Sequence, residues 1–326
     1  MALRLVMMAT GGFALPTFRA LFETAHTVTA LFTQPDRIGR GHHRHLNPLK
    51  ELALERGLPV IQPESANSSE AIEALRDLAA DLCVVAAYGQ ILSPALLQVP
   101  NRGAINLHAS ILPKYRGAAP IQTAILEGET ETGVTIFQIE PRLDAGPILA
   151  IERTAIGPRE TAAELEARLA VLGADLALRV VDQIAQGTVQ PIVQDSTQAS
   201  RAPRLKKESG RIDWHRSPRQ IDCQVRGLQP WPLAYSTLTL RIEKNDSSLR
   251  SLRLIMLEVA PAEVPVLPNT NSAPGSVLII DNKRLMVETG DGVVEIRRLQ
   301  PEGRRAMTAV DFLAGYSVRS GDQFET

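Results

Sequence analysis

Asn106-Leu107-His108 sets a carboxamide and an imidazole two residues apart. On a β-strand that spacing turns both side chains to one face. The carboxamide can donate to a carbonyl oxygen and hold the negative charge that develops there. The imidazole, with an ordinary pKa of about 6.5, can move protons near neutral pH. Asp144 stands in Leu143-Asp144-Ala145-Gly146, a turn made by its glycine. An acid brought beside His108 would orient the ring, raise its basicity and help with the proton. Between them, residues 110–117 (SILPKYRG) read as a loop stiffened by Pro113 and freed at Gly117, able to set backbone groups around a flat ligand. Taken one at a time, each segment also fits an ordinary strand end, loop or turn.

The elements that must position these residues alternate in type. Residues 3–9, 27–33, 59–61, 81–87, 103–107 and 133–139 carry strand signals. Residues 16–23, the stretch from Asn47-Pro48 to Gly57, the stretch opened by Asn67 and Glu70 as a capping-box-like pair, Ser93-Pro94 and residues 118–127 carry helix signals. Thr161 and Glu164 open a long helix that ends at Gly187. This βαβα order predicts an α/β fold, a Rossmann-like parallel sheet with helices on both faces. Ligands of such sheets bind outside the carboxyl ends of the strands, which is where Asn106 and His108 fall. After Gln190 the character changes. Residues 191–210 are polar, basic and weakly periodic, a linker. Short β-like runs then recur at 235–240, 252–259, 276–280, 285–288 and 293–297, with the Pro-rich segment 261–274 among them and a terminal helix at 309–315. The second domain is expected to be a smaller β-barrel, OB-like in kind. The predicted division is 1–190, a linker at 191–210, and 211–326.

The chain has 326 residues, 44% hydrophobic and 22% charged, with a net charge of −1. That balance excludes a general nucleic-acid coat, which needs clustered cations. Two local clusters remain. Arg37, Arg40, Arg44 and Lys50 have no acid among them, and Arg201, Arg204, Lys206, Lys207 and Arg211 surround only Glu208. Either cluster also fits a solvated basic loop. No apolar run reaches the roughly 18 residues needed to cross a bilayer, so no membrane association is expected. The start of the chain has no signal-peptide pattern. Cys83 and Cys223 sit in separate patterned segments and read as buried free thiols, which points to a reducing, cytoplasmic compartment. His42, His43 and His45 lack the Cys or acid companions of a metal site, and no metal is expected.

The motifs also occur in a known order. Asn106-Leu107-His108, residues 110–117, Ala118-Ala119-Pro120-Ile121-Gln122, Glu131-Thr132-Gly133-Val134-Thr135 and Leu143-Asp144-Ala145-Gly146 resemble the folate-dependent formyltransferases. Gln34-Pro35-Asp36-Arg37 with Gly39-Arg40-Gly41, Arg211-Ile212-Asp213-Trp214, Pro230-Trp231-Pro232, and the tail Leu299-Gln300-Pro301-Glu302-Gly303 with Met307 and Asp311-Phe312-Leu313 extend the likeness along the chain, and the basic loop and the tail resemble the branch that acts on methionyl-tRNA. The turn after the first strand departs from the usual Gly-Thr-Pro, reading Ala9-Thr10-Gly11, and the basic loop is one residue short at Ile38.

The resemblance implies transfer of a formyl group from 10-formyltetrahydrofolate to the α-amine of initiator methionyl-tRNA, by a monomer and without a metal. It implies Asn106, His108 and Asp144 as the catalytic set. Ser110, Leu112, Pro113, Tyr88, Gly89, Gln90 and Ile91 would bind folate. Arg37, Arg40, Arg44, Lys50, Lys206 and Lys207 would bind tRNA. Formyl transfer to an amino-sugar nucleotide or a purine precursor, and an inactive RNA-binding homologue, are the alternatives left open.

Overall fold

The computed structural model describes residues 1–36, 47–241, 249–262 and 273–325. The chain divides into two compact units. The first holds residues 1–121, 131–156 and 164–204; the second holds 122–130, 157–163 and 205–326.

The first unit is built in chain order from β1 (Arg4–Ala9), α1 (Leu15–Leu21), β2 (Thr27–Phe32), α2 (Pro48–Glu55), β3 (Val60–Ile61), α3 (Ser69–Asp77), β4 (Leu82–Ala86), α4 (Pro94–Leu97) and β5 (Ala104–His108). Then come β6 (Arg116–Gly117), α5 (Pro120–Leu126), β7 (Glu131–Gln138), β8 (Ile148–Ala155), α6 (Ala162–Gln186) and β9 (Arg201–Ala202), with α5 and α6 each shared in part with the second unit. Seven of the strands form one sheet in the order β3-β2-β1-β4-β5-β7-β8. The first five are parallel; β7 and β8 run antiparallel. The strand order reverses between β1 and β4, which opens a crevice at their carboxyl ends.

Side-chain alternation decides which face carries the chemistry. Cys83, Val85 and Ala104 share a core with Ala71 and Leu75 of α3 and Leu96 of α4. Asn106 lies beside Val85 in register, on that same face. Leu107 turns the other way, where Gly173 of α6 approaches so closely that an added Cβ would lie 3.3 Å from both Leu107 and Val134. Helices thus cover both faces, as expected, and α6 buries the residue between Asn106 and His108.

Asn47 caps α2 by accepting from the amides of Leu49 and Lys50, and Ser93 caps α4, both as the sequence indicates. The start of α3 differs. Its cap is Ser68, which accepts from the Ala71 amide. Asn67 instead donates to the Ile91 carbonyl and accepts from the Ser93 amide, tying down the loop after β4. Strand β8 carries no clean alternation and is an addition to the sequence reading. The stretch 191–210 is hydrogen-bonded over much of its length, with β9 paired in parallel to β6.

In the second unit, α7 (Pro218–Gly227) precedes β10 (Ala234–Arg241), β11 (Leu249–Ala262), β12 (Val277–Ile280), β13 (Arg284–Glu288), β14 (Val293–Pro301), β15 (Met307–Thr308), α8 (Ala309–Gly315) and β16 (Gln323–Phe324). The sheet runs β12-β13-β14-β11-β10-β16, all antiparallel. A bridge between Ser276 and Gln323 nearly closes it into the expected barrel. Trp214, Ile221, Val225, Leu254, Met256, Phe312 and Phe324 fill its core, and the Trp214 indole donates to Ser236 Oγ. Helix α7 is an addition: Ser217 and Gln220 form a capping box around Pro218. Part of the Pro-rich segment 261–274 lies outside the described residues.

Candidate active site

Asn106 and His108 project from the carboxyl end of β5, as their spacing requires. Asn106 is half-buried, and its carboxamide has no hydrogen-bond partner among the described residues. His108 is 5% exposed. Its Nε2 lies 2.9 Å from the Tyr115 carbonyl. A carbonyl only accepts, so Nε2 carries the hydrogen and Nδ1 is left with the lone pair in the neutral ring. Nδ1 faces Asp144 Oδ2 at 3.8 Å, too long for a hydrogen bond but close for two charges. The ring meets Phe137 edge-on, with centroids 6.3 Å apart.

Burial pushes the His108 pKa below its ordinary value. The carboxylate of Asp144 and the Tyr115 carbonyl pull it up, and the Arg116 charge pushes it further down; burial wins. His108 is therefore a neutral imidazole at pH 7, with its free lone pair beside an acid.

The loop that supplies Tyr115 is pinned at both ends. Thr135 on β7 donates to the Ser110 carbonyl and accepts from the Leu112 amide. Ser110 Oγ closes on the Lys114 carbonyl at 2.7 Å. Tyr115 takes a left-handed backbone conformation, φ 63°, uncommon for a residue with a side chain, and this swings its carbonyl toward His108. The Tyr115 amide donates to Ser200 Oγ and the Arg116 amide to the Ser200 carbonyl. Gly117 has φ 127°, and a Cβ there would lie 2.5 Å from the Ala202 carbonyl oxygen. Its amide donates to Asp144 Oδ2 at 2.8 Å, which fixes the carboxylate next to the ring. The turn carrying Asp144 is as tight: a Cβ on Gly146 would fall 1.8 Å from the Gln138 carbonyl oxygen.

The other expected site residues are placed as follows. Ser110 and Leu112 are buried; Leu112 packs with Phe137 and Ile148, and Pro113 is half-buried. The loop after β4 leaves the sheet edge next to the end of β5, since Ala86 and Leu107 are in register. Within it the Tyr88 ring lies in the core, with its phenol pushed up to about 12 by burial. The Gln90 side chain accepts from the Ala66 amide. Gly89 is in a left-handed conformation, and Ile91 is 75% exposed. What these two loops offer a ligand is main chain, Pro113 and Ile91 more than the side chains of Tyr88, Leu112 or Gln90.

Arg37, Arg40, Arg44 and the three histidines at 42, 43 and 45 lie outside the described residues. Lys50 pairs with Asp36 and donates to Gln62 Oε1, so an acid just ahead of the basic cluster engages its last cation. Lys206 and Lys207 are exposed, in the second unit. Among the described residues, no group of three His, Cys, Asp or Glu could hold a metal ion, and no helix is long and apolar enough to cross a membrane.

Sequence reading placed Thr135 in a motif without its supporting role, and missed Ser200 and Gln194. Their partners are brought near only by folding, and no local pattern marks them.

The model of the family described as "Formyl transferase" matches residues 3–181, and that described as "Formyl transferase, C-terminal domain" matches residues 204–317. The chain is 42% identical over 325 residues to a methionyl-tRNA formyltransferase of Solibacter usitatus, covering 98% of both chains. It is 42% identical over 317 residues to one of Methylococcus capsulatus, covering 97% of this chain and 98% of that one. Among solved structures it resembles an N-formyltransferase from Helicobacter canadensis in complex with folinic acid and dTDP-3-aminofucose. The TM-score is 0.63 at 17% identity, covering 91% of this chain and 99% of that one. It also resembles HypX from Aquifex aeolicus in complex with tetrahydrofolic acid, with a TM-score of 0.59 at 15% identity, covering 99% of this chain and 51% of that one. These structural likenesses concern the fold.

Proposed function

This chain belongs to the formyl transferase family, and we propose that its Asn106, His108 and Asp144 move a formyl group from 10-formyltetrahydrofolate to the α-amine of initiator methionyl-tRNA. The observation that carries the mechanism is the two-sided hold on His108: Nε2–H on the Tyr115 carbonyl, Nδ1 open beside Asp144.

The α-amine attacks the formyl carbon, and the carbonyl electron pair moves onto its oxygen. The Asn106 carboxamide donates to that oxygen. His108 Nδ1 takes the proton that the amine sheds, so the ring becomes an imidazolium between the Tyr115 carbonyl and the Asp144 carboxylate. The tetrahedral intermediate collapses, the bond to the folate nitrogen breaks, and His108 returns the proton to that nitrogen. The amine has lost one proton and the folate has gained one. A ring kept neutral by burial is ready to accept at neutral pH.

The folate is assigned to the loops at 88–91 and 110–113, at the carboxyl ends of β4 and β5. Residues 1–190 are assigned the chemistry and 191–210 the linker; Lys206 and Lys207 at the end of that linker, with the barrel of 211–326, are assigned the tRNA backbone. Arg37, Arg40, Arg44 and Lys50 are assigned the acceptor end. A monomer is assigned as the working unit. Two buried free thiols fit a cytoplasmic setting. The test is incubation with formyl-labelled folate and charged initiator tRNA. Formyl-methionyl-tRNA is the expected product, and label appearing only on an amino-sugar nucleotide offered in competition would overturn the acceptor.

A further inference from the structure

Gln194 is 8% exposed and lies in the polar stretch between α6 and β9. A buried carboxamide must satisfy both of its ends. Its Nε2 donates to the carbonyls of Asp144, at 2.9 Å, and Gly146, at 2.8 Å. Its Oε1 accepts twice from Arg116, from Nε at 3.2 Å and Nη2 at 2.6 Å. One amide therefore joins the turn that carries Asp144 to the loop that carries Tyr115 and Arg116. The backbone around it is anchored on both sides. Ile192 exchanges two hydrogen bonds with Ile148, and Ser200 to Ala202 pair with the loop at Tyr115 to Ala118.

We propose that Gln194 is a positioning residue, which sets where Asp144 and Arg116 stand relative to His108 and so tunes the proton-carrying step of the reaction read above. It rests on that reading for the step it tunes. Asp144 and Arg116 are the charged groups that act on His108, in opposite senses: the carboxylate raises its pKa and the guanidinium lowers it. The strand packed beside His108, β7, presents uncharged Thr135 and Phe137. No other common side chain of this length offers two donors and an acceptor. Glu would keep the Arg116 contact and lose both donors, and Met would lose everything but the volume.

The experiment compares Gln194→Met and Gln194→Glu with the wild-type chain. The His108 side-chain titration is followed by NMR, turnover with formyl-folate and charged initiator tRNA is measured, and thermal midpoints are recorded. Gln194→Met should lower kcat by about 10–100-fold, since small displacements at a reacting centre cost rates of that order. KM for either substrate should stay within about threefold. In Gln194→Glu, an anion on Arg116 offsets the charge that opposes His108 protonation, so the His108 inflection should move to higher pH. If Gln194→Met does not fold, Gln194→Glu carries the test alone. A fall in thermal midpoint with wild-type kcat and an unmoved His108 inflection would make Gln194 a plain structural brace and overturn the proposal. The titration needs no turnover. A wild-type chain that fails to formylate the tRNA therefore counts against the parent reading and leaves this one to its own measurement.

Discussion

Replacing Asp144 with Asn keeps the size of the side chain and an oxygen that can accept from the Gly117 amide, but removes the charge beside His108. Two unit charges 3.8 Å apart, at an effective dielectric constant of about 20, attract by about 4 kcal/mol. If His108 becomes an imidazolium in the transition state, that energy is lost there and corresponds to a rate factor of about 10³. Arg116 opposes the same proton, and Asp144 keeps a little solvent contact, so a fall in kcat of about 10²–10³ is expected. Folate affinity should change little, because the carboxylate is turned to the ring and the Gly117 amide. The direction in pH also follows. The active form of His108 is the neutral one, so the rate falls as pH drops through its pKa. Asp144 raises that pKa, and its removal moves the acid limb to lower pH. The assay is single-turnover formylation across pH 5–8 with a separate folate-binding measurement. Unchanged kcat, an acid limb moving to higher pH, or folate binding falling in proportion to turnover would each refute the proton role.

His108→Ala should cost about 10²–10⁴ in turnover with the fold retained, and Asn106→Ala about 10²–10³; an effect confined to KM would make either a binding contact. Gly146→Ala forces a methyl against the Gln138 carbonyl, and should lower stability by about 1–3 kcal/mol and turnover with it; an unchanged thermal midpoint and rate would contradict the tight turn. Arg40→Ala should weaken use of the charged tRNA and leave folate binding intact. A phosphate contact would reduce the slope of log binding constant against log salt by about one; unchanged tRNA use and salt dependence would return the basic cluster to an ordinary surface.

The parts of this fold that were legible in sequence are those whose pattern is local. Residues 81–87 read as a buried strand because LCVVAA after Asp81 is a continuous apolar run, and β4 occupies most of it. Asn47-Pro48 and Ser93-Pro94 were readable because a cap is a contact between near neighbours. Ser68 displaced Asn67 at the next cap because Asn67 found partners in the loop at 91–93, 24 and 26 residues away. The short strands β6 and β9 hold two residues each and have no period to detect. Asn106 and His108 announced themselves by side-chain type and spacing. Gln194 did not, because its role comes from carbonyls and a guanidinium that lie 48–78 residues away in the chain. The pairing of Lys50 was not legible because Asp36 stands just outside the run of cations.

The most direct measurement is a single-turnover transfer, as a function of pH, with the formyl carbon of the folate isotopically labelled and initiator methionyl-tRNA as acceptor. The label is expected on the methionine α-amine, at a rate that rises with pH and levels off above an inflection below the ordinary histidine value of about 6.5. Label lost as formate or left on the folate, or a rate that falls as His108 is deprotonated, would contradict transfer through a neutral His108.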